Sequence, residues 1–180
     1  MRVITGSARG VRLETPEGLA TRPTTERVKE ALFSAIQFEI EGRQVLDLFA
    51  GCGQLGIEAL SRGAERAVFI DSAKDSIRLI RTNLKKTKLE DRATVLQSDY
   101  LAYLKRCRQK FGLIFLDPPY AEKFLENALA AIYEFDILSS GGIIVTERPK
   151  GKELSVEYPG YTRSKDYGFG ASCVTLFRKE

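Results

Sequence analysis

The chain has 180 residues, which suits one domain of ordinary size, and its 43 % hydrophobic and 29 % charged residues are typical of a globular protein. It contains no histidine, which excludes an imidazole general base, a Ser-His-Asp triad and a histidine-based metal site, and its three cysteines lack metal-ligand spacing, so we expect no metal. The formal net charge of +4 is compatible with a nucleic-acid partner but does not require one.

The first 40 residues predict a small N-terminal extension. Residues 2–5 and 11–13 flank a glycine-containing turn, the pattern of a hairpin. Apolar residues then recur at helical spacing over residues 24–38. We expect a hairpin and a helix in residues 1–40, packed on a core domain of residues 41–180.

The rest of the chain alternates between short apolar runs and helical patterns. Strands are predicted at residues 45–50, 66–71, 93–97, 111–116 and 142–146, with helices at 55–61, 73–86, 101–108 and 123–135. Such alternation is typical of a parallel sheet with helices on both faces. Residues 155–162 and 171–178 predict two further strands, an antiparallel pair at the sheet edge. The fold expected is α/β, a doubly wound, seven-stranded, Rossmann-like sheet.

A glycine loop follows the first of these strands. Residues 51–56 match G-x-G-x-x-G, and Asp71 lies 20 residues after Gly51, at the end of the next strand. This arrangement indicates a nucleotide or nucleoside cofactor, with Asp71 accepting hydrogen bonds from ribose hydroxyls. The match alone does not separate a dinucleotide from S-adenosylmethionine.

Asp47 favours S-adenosylmethionine. It lies four residues before the glycines, where its charge would repel the pyrophosphate of a dinucleotide but suits an ammonium and a sulfonium group. The alternative is that Asp47 only caps amides of the loop. Asp99 follows the third strand, where it is placed to accept from the adenine amino group, and a plain capping or surface role is its alternative.

The segment 117–120, Asp-Pro-Pro-Tyr, follows the fourth strand and should share a crevice with the glycine loop. Asp117 and the Pro118 carbonyl offer two acceptors for one NH2 group, and Pro119 helps to fix the backbone. A planar amino group is a poor nucleophile, and two fixed acceptors favour its transition state. Tyr120 offers a face for stacking a base. The alternative is a proline-rich turn with an aromatic side chain used for packing.

The chain resembles a known family along nearly its whole length. The similar segments are residues 2–6, 9–10, 21–33, 45–53, 60–64 and 117–120. They resemble the bacterial small-subunit rRNA guanine-N2 methyltransferases of the RsmD type, and the Thr-Arg-Pro-Thr stretch at residues 21–24 singles out this family. Cys52 and Gln54 depart from its pattern at loop positions where the backbone does most of the holding.

The resemblance implies methylation of one guanine in 16S rRNA, presented in an assembled or assembling small subunit. It also implies that Asp47, Gly51 and Gly53 surround the methionine part of S-adenosylmethionine, with Asp71 at the ribose and Asp99 at the adenine. A basic platform for phosphate contacts is predicted beside the crevice. Its members are Arg2, Arg9, Arg12, Arg22 and Arg27.

Two other functions remain open at this point. One is an amino-methyltransferase that acts on DNA adenine or on a protein glutamine, since both present planar amino groups. The other is a catalytically silent RNA-binding assembly factor that retains the fold. No apolar run of signal-peptide or membrane-spanning length is present in the sequence, so we expect a cytoplasmic protein with no membrane partner.

Overall fold

The structure, a computed structural model, describes residues 1–17, 23–119 and 123–180, and of residues 23–25 it describes the backbone alone. The helices are α1 Pro23–Ala35, α2 Gln54–Ser61, α3 Lys74–Thr87, α4 Tyr100–Arg106 and α5 Phe124–Glu134. The strands are β1 Gln44–Asp47, β2 Arg66–Asp71, β3 Ala93–Gln97, β4 Phe111–Leu116, β5 Leu138–Pro149, β6 Tyr161–Arg163, β7 Tyr167–Phe169 and β8 Ser172–Lys179. Among the described residues, no helix is long and apolar enough to cross a membrane.

The strands form one sheet in the order β3-β2-β1-β4-β5-β8-β6. β1 to β5 pair in parallel, and β8 runs antiparallel to β5. Side chains alternate between the two faces of the sheet. Val45 packs in a core with α1, α2 and α3, whereas its neighbour Leu46 packs in a second core with α4 and α5. The predicted doubly wound α/β sheet with an antiparallel edge is confirmed.

The edge differs in detail from the prediction. The described part of the chain forms eight strands rather than seven because the strand beside β8 is divided in two: β6 pairs with residues 177–179 of β8, and β7 pairs with residues 172–174. Asp166 lies in the interruption and accepts hydrogen bonds from Arg148, Arg163 and the Thr175 hydroxyl. The strand predicted at residues 155–162 is therefore wrong over most of its length, since β6 begins only at Tyr161.

The N-terminal segment is a tight turn held by α2. A single antiparallel bridge joins Arg2 to Arg12, so the predicted hairpin is reduced to its shortest form. The carboxylate of Glu58 accepts from the amides of Ile4 at 2.9 Å and Thr5 at 3.0 Å, and it is fully buried. Lys29 of α1 reaches the same carboxylate at 3.1 Å. Hydrogen bonds to buried groups thus fasten the extension to the core.

Candidate active site

A crevice opens at the carboxyl ends of the parallel strands. Its volume is ≈ 540 Å³, within the range of small-molecule sites. The glycine loop after β1 and the Asp-Pro-Pro segment after β4 both contribute to its wall because β1 and β4 are neighbours in the sheet. The predicted site residues on this wall are Gly51, Asp71, Asp99, Asp117, Pro118 and Pro119. Tyr120 lies outside the described residues.

Asp71 shapes the glycine loop from the end of β2. One carboxylate oxygen accepts from the amide of Gly51 at 2.9 Å, and the other accepts from the amide of Ala73 at 2.9 Å. Each oxygen retains a second lone pair. Gly53 immediately precedes α2 with φ at 84°, a conformation that favours glycine. Gly53 is buried and lies behind the crevice wall rather than on it.

Asp47 ends β1 and is buried beneath the glycine loop, with 1 % of its surface exposed. Its Oδ2 accepts from the amide of Gly56 at 3.0 Å, so the capping interaction is present. Its Oδ1 is buried and has no partner among the described residues. Burial raises the pKa of Asp47 to about 7, and the charge of Asp71 adds to this rise. A buried carboxylate with a free oxygen is an acceptor prepared for a cation or a donor.

Asp99 and Asp117 lie on the wall in different surroundings. Asp99 is exposed, and its Oδ1 accepts from the amide of Ala102 at 2.9 Å, which caps α4. Asp117 directly follows β4. Its pKa is well above the ordinary range because it is desolvated and because Glu147 and Asp47 place further negative charge nearby. Asp117 is therefore harder to ionise than a carboxyl group in water.

The crevice contains residues that sequence reasoning missed. Three aromatic rings pack together on its wall, with centroids 5.0 Å apart for Phe49 and Tyr100 and 5.7 Å apart for Tyr100 and Phe124. Glu147, which follows the predicted fifth strand directly, lies near Asp117 but outside the crevice wall. Their positions in the sequence could have identified them, because each comes shortly after a predicted strand or site residue. Phe49 follows β1, and Tyr100 follows Asp99. Phe124 follows the Asp-Pro-Pro-Tyr segment, and Glu147 follows the apolar run of the predicted fifth strand.

Four residues of the predicted basic platform are described, on the N-terminal segment and α1. Arg2 and Arg12 line a separate cavity of ≈ 320 Å³ with Met1 and Glu26. Arg9 and Arg27 are exposed, and Arg22 lies outside the described residues. The cavity of Arg2 and Arg12 shares no lining residue with the crevice.

Comparison with known proteins decides the family. The family model described as Conserved hypothetical protein 95 matches residues 1–178. Ribosomal RNA small subunit methyltransferase D of Haemophilus influenzae is 35 % identical over 86 % of this chain and 81 % of its own length. The Escherichia coli K12 protein of the same name is 30 % identical over 100 % of this chain and 90 % of its own. The chain belongs to this RsmD-type methyltransferase family.

Solved structures agree with membership of the RsmD-type family. The Escherichia coli methyltransferase candidate yhhF superimposes with a TM-score of 0.90 at 31 % identity, covering 100 % of this chain and 98 % of the other. The methylase candidate HI0767 of Haemophilus influenzae gives 0.83 at 31 % identity, covering 99 % and 97 %. The resemblance found in the sequence is confirmed, and the chain is a methyltransferase of this family.

Proposed function

We propose that the protein transfers a methyl group from S-adenosylmethionine to the exocyclic amino nitrogen, N2, of a guanine in small-subunit (16S) rRNA. The single observation that carries this function is the shared crevice of the Asp117-Pro118-Pro119 segment and the glycine loop. The relatives named for small-subunit rRNA support the substrate. The family resemblance supports guanine as the base.

The donor set of the crevice fits S-adenosylmethionine. Asp71 and Asp99 lie on the wall, and Asp47 has an unpartnered oxygen beneath the loop. Such a concentration of carboxylates suits a ligand that carries an ammonium and a sulfonium group and no phosphate. Asp47, Gly51 and Gly53 would hold the methionine part, Asp71 the ribose and Asp99 the adenine.

When bound, S-adenosylmethionine supplies an electrophilic methyl group, and its sulfur keeps the electron pair of the broken bond. Asp117 and the Pro118 carbonyl accept hydrogen bonds from the guanine N2 amino group and direct its lone pair toward the new bond. Asp117 receives the proton that N2 loses. The positive charge of the bound cofactor favours the ionised form of Asp117, whereas burial raises the pKa of Asp117 and opposes its ionisation.

The aromatic side chains complete the chemistry of the crevice. An apolar wall is formed by Phe49, Tyr100 and Phe124. The flat rings of a bound ligand pack against this wall, and the three side chains exclude water from the reacting atoms. Tyr120 is proposed to stack on the target base. No histidine is needed, because methyl transfer depends mainly on positioning.

The rRNA partner is proposed to lie across residues 1–40, the RNA-facing extension, while residues 41–180 form the methyltransferase domain. Arg2, Arg9, Arg12 and Arg27 are exposed there, and Arg22 belongs to the same proposed platform. Guanidinium groups of this kind bind phosphates without reading sequence. The substrate is the small subunit or its assembly intermediate, and the protein acts in the cytoplasm.

The test is transfer of tritiated methyl groups to small subunits from a strain that lacks the enzyme. Asp117→Ala is expected to lose transfer by at least about 100-fold while cofactor binding, measured by titration calorimetry, is retained. Asp75→Ala, an exposed acid on α3, is the matched control and should keep full activity. Full activity in Asp117→Ala would overturn the mechanism.

The same assay separates the other functions. Duplex DNA and protein arms run in parallel should accept no label. If duplex DNA or protein is labelled in preference to the small subunit, that molecule and not rRNA is the substrate. A wild-type protein that binds no cofactor in the calorimeter would be an assembly factor without catalysis.

A further inference from the structure

A second, narrower recess lies against the other side of the Asp-Pro-Pro segment. Pro118 and Pro119 line both this recess and the crevice, so the two spaces share a wall. The volume of the recess is ≈ 10 Å³, about the space of one water molecule, so a base could reach it only with a single edge group such as an N–H. Its charged lining residues are two acids, Glu126 of α5 and Glu147 of β5, and two bases, Arg148 and Lys152.

Glu147 stands beside Asp117 because their strands are neighbours. Leu116 and Thr146 are paired across β4 and β5, so the next residues, Asp117 and Glu147, are adjacent on one face of the sheet. Burial raises the pKa of Glu147, and the nearby Ser172 side chain opposes part of this rise.

Glu126 supplies a second acceptor in the recess. Its Oε2 is buried and has no hydrogen-bond partner among the residues described. Arg148 also lines the recess, but its guanidinium is engaged by the Lys152 carbonyl, the Thr175 hydroxyl and Asp166. A buried acceptor without a donor is costly unless a ligand provides one.

The chemistry of the recess selects bases by their donors. A guanine presents N1–H and the N2 amino group side by side on its Watson–Crick edge, whereas adenine presents a lone pair at N1. We propose that the recess lined by Glu126 and Glu147 receives the Watson–Crick edge of the target guanine, with Glu147 accepting from N1–H while Asp117 and Pro118 hold N2.

This inference rests on the proposed function and explains its base specificity. A base with a lone pair at N1 would face the Glu147 carboxylate and leave both partners without a donor. Sites that hydrogen-bond a substrate donor reject analogues that lack it by up to about 10⁴-fold. The recess therefore rejects adenine as well as binding guanine.

The test compares two target bases that share the reacting amino group. Small subunits are reconstituted with 16S rRNA ligated to carry guanine or 2-aminopurine at the methylated position, and kcat/KM is measured for each. 2-Aminopurine keeps the amino group but has a lone pair at N1. The wild-type enzyme is expected to prefer guanine by at least about 100-fold.

Glu147→Gln should reduce the preference for guanine over 2-aminopurine by at least about tenfold, because the amide of the glutamine can donate a hydrogen bond to N1 of 2-aminopurine. Glu126→Gln should narrow it less. Glu153→Gln, an exposed acid, is the matched control, and cofactor affinity should be unchanged in all three variants, which shows that they are folded.

The outcomes separate the two proposals. If Glu147→Gln and Glu126→Gln both keep the wild-type preference for guanine, the proposed role of the recess is wrong and the proposed function is unaffected. A wild-type enzyme that methylates neither subunit overturns the proposed function and the recess with it.

Discussion

Asn83 of α3 donates a hydrogen bond from Nδ2 to the carbonyl oxygen of Cys52 in the glycine loop, at 2.9 Å. The same side chain donates to the carbonyl of Glu14 at 2.9 Å and accepts from its amide at 2.7 Å. It is completely buried. One amide group therefore joins the proposed cofactor loop to the N-terminal segment.

Replacing the Asn83 side chain should affect both the glycine loop and the N-terminal segment. Asn83→Ala removes the partner of three backbone groups, of which the Cys52 carbonyl is buried, so we expect a loss of about 1–3 kcal/mol in unfolding free energy. Because Cys52 is part of the glycine loop, cofactor affinity should also fall by about tenfold. Urea unfolding and titration calorimetry measure the two effects. Asn127→Ala, on the exposed face of α5, is the control, and an unchanged cofactor Kd in Asn83→Ala would contradict the link.

Cofactor affinity should rise with pH near neutrality. Burial raises the pKa of Asp47 to about 7, and only its ionised form attracts a cation. Below that value affinity is expected to weaken by up to about tenfold for each pH unit. Calorimetry at about pH 6 and pH 8 measures the slope. Asp47→Asn should flatten it, and a wild-type slope in this variant would exclude Asp47 from cofactor binding.

The same shift predicts the opposite trend for the stability of the unliganded protein. The folded-state pKa of Asp47, about 7, exceeds its ordinary value of 3.8, so the folded state binds the proton more tightly than the unfolded state does. Stability from this group is complete below about pH 4 and falls as pH rises toward about 7. Asp47→Asn should therefore be stabilising at about pH 8, by at most roughly 4 kcal/mol, and neutral at about pH 4. Thermal unfolding at both pH values checks this.

The buried ion pair between α1 and α2 is expected to be critical for the N-terminal segment. Glu58→Ala would leave Lys29, which is 2 % exposed, without its anion and would remove the acceptor for Ile4 and Thr5. The expected loss of unfolding free energy is about 3–5 kcal/mol. Glu65→Ala, an exposed acid, should cost less than about 1 kcal/mol. Equal losses in denaturant titrations would contradict this role.

Two glycines of the N-terminal turn form a matched pair. Both have positive φ, 92° at Gly6 and 85° at Gly10. A Cβ at Gly6 would lie 1.8 Å from the carbonyl oxygen of Ser61, whereas one at Gly10 would meet nothing within 4 Å. Gly10→Ala should cost about 1–2 kcal/mol from backbone strain alone. Gly6→Ala should cost clearly more, and calorimetric unfolding that ranks them in reverse would contradict the close contact.

Local patterns were enough to predict most of the fold. All five parallel strands and the helices between them were predicted, because a doubly wound sheet repeats a short strand-helix unit. Each strand and helix of that unit has its own spacing of apolar residues and ends at glycines or polar residues. The glycine loop and Asp71 were predicted for the same reason, since their spacing lies within one such unit.

The missing parts depend on distant contacts. β5 extends to Pro149 because β8 pairs with it there, which no local signal shows. Glu147 joins the site only because β4 and β5 are neighbours. The prediction also put Gly53 and Asp47 at the cofactor, while the structure places both behind the crevice wall; their role there stays a prediction. The edge strand is split into β6 and β7 at residues 164–166, where Asp166 accepts hydrogen bonds from three side chains.

That split has a consequence for the protein in concentrated solution. The outer strand of a sheet exposes unpaired amides and carbonyls that can add strands from other molecules. Here β6 and β7 offer only three residues each, separated by a charged side chain at Asp166. Edges so short and interrupted make poor templates for intermolecular pairing, so this side of the sheet is protected against aggregation.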